Sequence, residues 1–183
     1  MVEQGMPFLY TARLMRCEMT FPDVGADVGR RQAVLDVIAV AGAVMLGAWA
    51  RIPLPFSPVP ATLQTLPVLL AAFAVGRSRA TAGVLLYVGL GLAGVPLFAT
   101  AFGPTFGYLL AFVAVPSVVT RFRHPAVGMV AGTAVIYGSG ALWLSLWLSC
   151  TAGQAIVMGV LPFLPGDLLK LLVAYRLAKW MRG

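Results

Sequence analysis

Residues 80–120 read ATAGVLLYVGLGLAGVPLFATAFGPTFGYLLAFVAVPSVVT, 41 residues without an Asp, Glu, Lys or Arg. One membrane span takes about 20 apolar residues to cross roughly 30 Å of hydrocarbon. The block is therefore two spans. It breaks between Gly94-Val95-Pro96 and Gly103-Pro104, where helix-interrupting residues cluster. The same reading extends outward. Residues 37–50, 52–76 and 124–166 are equally free of formal charge. The predicted spans are about 32–50, 59–76, 80–97, 105–120, 126–148 and 166–181.

Composition supports this architecture. Of 183 residues, 60% are hydrophobic and 10% charged. A soluble domain carries about 25% charged residues. The chain cannot cover itself as a soluble globule, and it is too apolar for intrinsic disorder. Backbone groups in lipid must be satisfied internally, by helices or a closed barrel. No strict polar–apolar alternation signals a barrel. The expected fold is an all-α integral membrane protein of six transmembrane helices, residues 31–183, preceded by a cytoplasmic tail, residues 1–30.

Net charge is +7, but its placement points to topology rather than nucleic acid. With the N-terminus inside, the cytoplasmic side holds Arg13, Arg16, Arg30, Arg31, Arg77, Arg79, Arg121, Arg123, Arg176, Lys179 and Arg182. Only Arg51 and Lys170 of the 13 basic residues fall elsewhere. This is the positive-inside pattern with both termini cytoplasmic. Cys17 and Cys150 then lie on opposite sides, which argues against a disulfide. One His and scattered acids assemble no metal cluster, and no resident cofactor is expected.

The exceptions carry the chemistry. Asp167 and Lys170 are the only formal charges between Arg123 and Arg176. Spaced i, i+3, they share a helix face near the outer end. Charge at membrane depth faces a cavity or a partner. Asp167 can also cap the sixth helix after Pro165-Gly166 while Lys170 snorkels. Arg51 precedes IPLPFSPVP, residues 52–60, whose four prolines make a stiff extended segment. It is either a rigid linker or a cap over an outward pocket. Thr62 and Gln64 are polar groups just inside the second helix, suited to interhelical bonding or ligand contact. Gly103 to Tyr108 opens the fourth helix as a turn or as a donor-rich end. Ala39, Ala43 and Gly47 form a small-residue row for bundle packing or for docking another membrane subunit. Gly128 and Gly132 repeat that spacing. Trp143 and Trp147 are interface anchors or a pocket wall. No Gly-x-x-x-x-Gly-Lys-Ser/Thr motif occurs, so the chain does not hydrolyse ATP and any energy for uptake comes from a partner or a gradient.

The run Pro58-Val59-Pro60-Ala61-Thr62-Leu63-Gln64-Thr65 resembles the PVPxTxQT signature of BioY proteins. These are the biotin-specific substrate-binding S-components of energy-coupling factor (ECF) importers. Gly89 to Phe98, Gly103 to Tyr108 and Pro162 to Lys170 agree in the same order, over about residues 32–181. Phe106 departs from the family's GPTGGY. The resemblance implies biotin as transported substrate, bound at the outer end. Asp167 and Lys170 match the family's D-x-x-K. Gln64, Thr62, Tyr87, Gly103, Thr105, Gly107 and Tyr108 are further ligand-binding candidates. It implies a transmembrane coupling subunit and two ATPase subunits as partners, with Ala39, Ala43 and Gly47 as docking face. It implies a multi-pass protein of a bacterial or archaeal cell membrane, not an enzyme and not a nucleic-acid binder. An S-component for another vitamin, an integral-membrane enzyme or a narrow channel are the competing readings.

Overall fold

The structure is a computed structural model that describes residues 24–95 and 102–181. Residues 1–23, with Cys17 and most of the expected tail, lie outside the described residues. So does the stretch 96–101, at the break between the predicted spans 80–97 and 105–120. Two units are distinguished, Met1–Gln32 and Ala33–Gly183.

Helix α1, Val24–Trp49, ends one residue before Arg51-Ile52-Pro53, because Pro53 and Pro55 cannot continue it. A β-hairpin follows, β1 (Arg51–Leu54) and β2 (Ser57–Thr62), paired antiparallel with Arg51 opposite Thr62 and Leu54 opposite Ser57. This corrects two expectations. The fold is not purely α, and residues 59–64 are not helical. Pro58 and Pro60 lack the N–H a helix interior needs, whereas a two-stranded ribbon has free edges that tolerate them. The register slips between Ile52 and Leu54, around Pro53. Ser57 Oγ donates to the Val59 carbonyl and accepts from the Val59 N–H, both at 3.1 Å, stiffening the turn.

Helix α2, Thr65–Val75, starts only after the hairpin and carries Pro67 in its first turn, where the missing donor costs little. Helix α3, Arg77–Leu92, stops short of the expected residue 97. Gly94 takes φ +95°, and the Val95 N–H reaches back to the Leu90 carbonyl at 3.1 Å. That is a Schellman stop. Helices α4 (Phe106–Val119) and α5 (Pro125–Leu148) form the most extensive helix pairing. Glycine allows it: a Cβ on Gly128 would lie 2.3 Å from the Val119 carbonyl oxygen, and one on Gly140 2.1 Å from the Tyr108 ring.

The stretch 149–165, left between the last two predicted spans, is largely helical. A capping box of Thr151 and Gln154 starts α6, Ala152–Gly159. A 3₁₀ turn, Leu161–Phe163, leads into α7, Leu164–Trp180. Val44, Val68, Val84, Val115 and Leu144 are fully buried. Leu35, Leu46, Leu142, Leu146, Leu169 and Leu172 point outward and are more than half exposed. An outer surface of leucine suits acyl chains and not water. Among the described residues, three helical stretches are long and apolar enough to cross a membrane: Gly29–Trp49, Pro125–Leu148 and Ala152–Trp180. Thr65–Val75 and Phe106–Val119 are apolar but shorter.

Candidate functional site

The elements converge at one end of the helices. The end of β2, the starts of α2, α4 and α7, the middle of α5 and the 3₁₀ turn enclose one pocket with a free volume of about 60 Å³. Its polar lining comes from Thr62, Gln64, Thr65, Tyr137, Asp167 and Lys170, with Thr105 at the start of α4. Phe112, Ile136 and Phe163 supply apolar walls.

Asp167 is 6% exposed. Lys170 Nζ donates to its Oδ1 at 2.6 Å, Tyr137 Oη donates to its Oδ2 at 2.6 Å, and Thr65 Oγ1 donates to Oδ1 at 3.4 Å. A buried carboxylate is tolerated only with this kind of satisfaction. Asp167 is therefore not the N-cap of the last helix. α7 begins three residues earlier at Leu164, and both carboxylate oxygens are turned toward side chains of other elements. Lys170 does not snorkel away: its Nζ also donates to the Thr62 carbonyl at 2.5 Å, tying α7 to the hairpin.

A second chain of bonds supports the hairpin's end. Thr62 Oγ1 donates to Gln64 Oε1 at 3.0 Å, and Gln64 Nε2 donates to Tyr87 Oη at 2.5 Å. Gln64 is buried, and these two hydroxyl partners satisfy both ends of its amide. Thr62 and Gln64 thus belong to a strand end and a helix start, not to the interior of a helix. Tyr87 is fully buried behind Gln64 and does not line the pocket.

The Gly103–Tyr108 candidates separate. Thr105 and Tyr108 line the pocket. Tyr108 does so as a wall, since its hydroxyl donates to the Gly159 carbonyl at 2.7 Å. Gly103 and Gly107 do not line it. Trp143 Nε1 donates to the Gly103 carbonyl at 2.9 Å, and Ser139 Oγ to the Gly107 carbonyl at 2.8 Å. Trp143 is thus a tie between α5 and the loop before α4, while Trp147 is exposed. Phe106, which departs from the GPTGGY pattern quoted above, packs its ring against Trp143 with centroids 5.1 Å apart and does not line the pocket.

The small-residue row also divides. Ala39 and Ala43 are exposed, but Gly47 is buried. A Cβ on Gly47 would sit 2.9 Å from the Gln64 Cα, and its carbonyl accepts the Leu63 N–H at 3.1 Å. Gly47 seats the hairpin and is not available to a partner. Tyr137, Thr65 and Phe163, with the apolar walls Leu109, Phe112 and Ile136, are among the pocket residues that sequence reasoning missed. A tyrosine within an apolar helix carries no spacing signal, and Thr65 sat unremarked inside the quoted signature.

Comparison with known proteins fits this geometry. The profile described as the BioY family matches residues 22–182. A Thermotoga maritima protein named "Biotin transporter BioY" is 36% identical over 149 residues, 74% of this chain and 86% of that one. A Pyrococcus horikoshii "Probable biotin transporter BioY" is 32% identical, covering 73% of this chain and 87% of its own. The fold resembles a solved S-component for biotin from an ECF-type ABC transporter, with TM-score 0.75 and 20% identity over 84% of this chain and 92% of that one. With the profile spanning residues 22–182 and relatives above 30% identity along most of their own length, the chain belongs to the BioY family.

Proposed function

We propose that this chain is the membrane-embedded substrate-binding component of a biotin importer. It captures biotin at the outer face and delivers it inward with an ECF coupling subunit and two ATPase subunits. It binds and releases its substrate unchanged. The observation that carries this reading is the Asp167–Lys170 pair, its carboxylate buried, opening on a pocket whose remaining lining mixes threonine and glutamine with aliphatic and aromatic side chains. Biotin is amphipathic in the same way. Its ureido N–H groups suit a carboxylate acceptor, its carbonyl or carboxylate suits an ammonium donor, and its thioether ring suits Phe112, Ile136 and Phe163.

In this reading the chain crosses a bacterial or archaeal cell membrane six times, with both termini cytoplasmic. The pocket end, with Arg51 and the hairpin, faces outward, and Arg77, Arg79, Arg121 and Arg123 face the cytoplasm. The exposed Ala39 and Ala43 present a flat strip of α1 for close approach by the coupling subunit.

The free volume of about 60 Å³ is below the roughly 300 Å³ of an ordinary small-molecule pocket. The Lys170 bond to the Thr62 carbonyl is the tie that closes it. Biotin entry therefore breaks that bond and moves the hairpin end away from α7. The test is titration of labelled biotin against the purified protein in detergent. Saturable binding of biotin, unaffected by excess of other vitamins, is expected. Tighter retention of a different vitamin would overturn the assignment.

A further inference from the structure

Tyr137 stands at a junction the reading above does not use. It lies in the middle of α5, 30 residues before Asp167, and its hydroxyl donates to Asp167 Oδ2 at 2.6 Å. Its ring lines the polar pocket on one side. On the other it lines a separate groove of about 540 Å³ between α5 and α6, walled by Ala134, Gly138, Ala141 and Ile156. One residue thus orients the buried carboxylate and divides the pocket from a groove of small and apolar side chains.

An ionised carboxylate has about four acceptor positions. At Asp167, Lys170 and Thr65 occupy Oδ1, and among the described residues Tyr137 is the one side chain bonded to Oδ2. Without the phenol, Lys170 and Thr65 would hold one oxygen, leaving the carboxylate free to turn about its Cβ–Cγ bond. We infer that Tyr137 is a positioning residue for ligand recognition: its hydroxyl fixes the carboxylate plane of Asp167, so that the remaining lone pair of Oδ2 stays directed at a ligand N–H. This rests on the biotin-binding reading and deepens it at one residue.

Tyr137→Phe removes the hydroxyl and keeps the ring as a wall. Biotin affinity should fall about tenfold, while the protein stays folded with a melting temperature somewhat lowered by the loss of one bond to the buried carboxylate. The discriminating measurement is a double-mutant cycle. In an Asp167→Asn background, Tyr137→Phe should cost nothing further, because its effect passes through the carboxylate. Infrared difference spectra supply a second readout: the carboxylate stretching bands removed by Asp167→Asn should be shifted in Tyr137→Phe. That measurement needs only the single variant if Asp167→Asn does not fold. Wild-type affinity in Tyr137→Phe, independent losses in the cycle, or unshifted carboxylate bands would overturn the inference. Absence of biotin binding by the unsubstituted protein would overturn the functional reading itself, and this inference with it.

Discussion

Asp167 and Lys170 are buried partners, so removing either leaves the other charged and poorly solvated. Lys170→Ala deletes a charge-assisted bond worth roughly 1.5–3 kcal/mol. Biotin affinity should weaken about 10- to 100-fold by titration in detergent. Wild-type affinity in this variant would remove the pair from the site. Part of this chemistry was legible in the sequence, because isolated charges in an apolar block are rare and therefore informative. Their partners were not legible. Tyr137 reaches Asp167 across the bundle and Thr62 reaches Lys170 through its backbone carbonyl, an atom every residue possesses.

At the scale of elements, α1 contrasts two small residues four positions apart. Ala43 is exposed, while Gly47 is pressed on the Leu63–Gln64 backbone. Ala43→Leu should leave biotin binding intact and abolish co-purification with the coupling subunit. Gly47→Ala should do the reverse in kind: its Cβ meets backbone at 2.9 Å, displaces Gln64 and lowers biotin affinity. If Ala43→Leu also loses biotin, the strip belongs to internal packing. Gly140→Ala drives a methyl into the Tyr108 ring and should cost about 1–3 kcal/mol, read as a lowered melting temperature. Helix positions were legible wherever apolar runs were long. The hairpin was not, because four prolines in residues 52–60 say only "extended" and leave pairing to the tertiary structure. The start of α6 was written in Thr151-x-x-Gln154, a signal outweighed by the surrounding Gly and Pro.

For the whole molecule, the testable quantity is orientation. The proposed topology places Cys150, half-buried at the end of α5, near the outer face. Cys17 belongs to the cytoplasmic tail in the same topology. A membrane-impermeant thiol reagent applied to intact cells should modify a Cys17→Ser variant through Cys150 and leave a Cys150→Ser variant untouched. Modification of Cys17 from outside would invert the arrangement. The expected division of arginines between the two ends rests on this result.

The shortness of two helices has a mechanical consequence. α2 has 11 residues and α4 has 14, so at about 1.5 Å per residue they rise only about 16 and 21 Å. A hydrocarbon layer of about 30 Å overshoots both. Both helices are mostly enclosed by other elements, so in the proposed membrane orientation the hairpin sits below the headgroups with its backbone shielded by protein. Hydrophobic mismatch then acts on the same segment that carries Thr62 and Gln64. In nanodiscs of short-chain phosphatidylcholine the hairpin meets the aqueous phase without deforming the bilayer, and biotin should bind more rapidly there than in long-chain discs. Under the proposed function, membrane thickness becomes a rheostat on ligand capture, set by the lipid and not by the chain's own sequence.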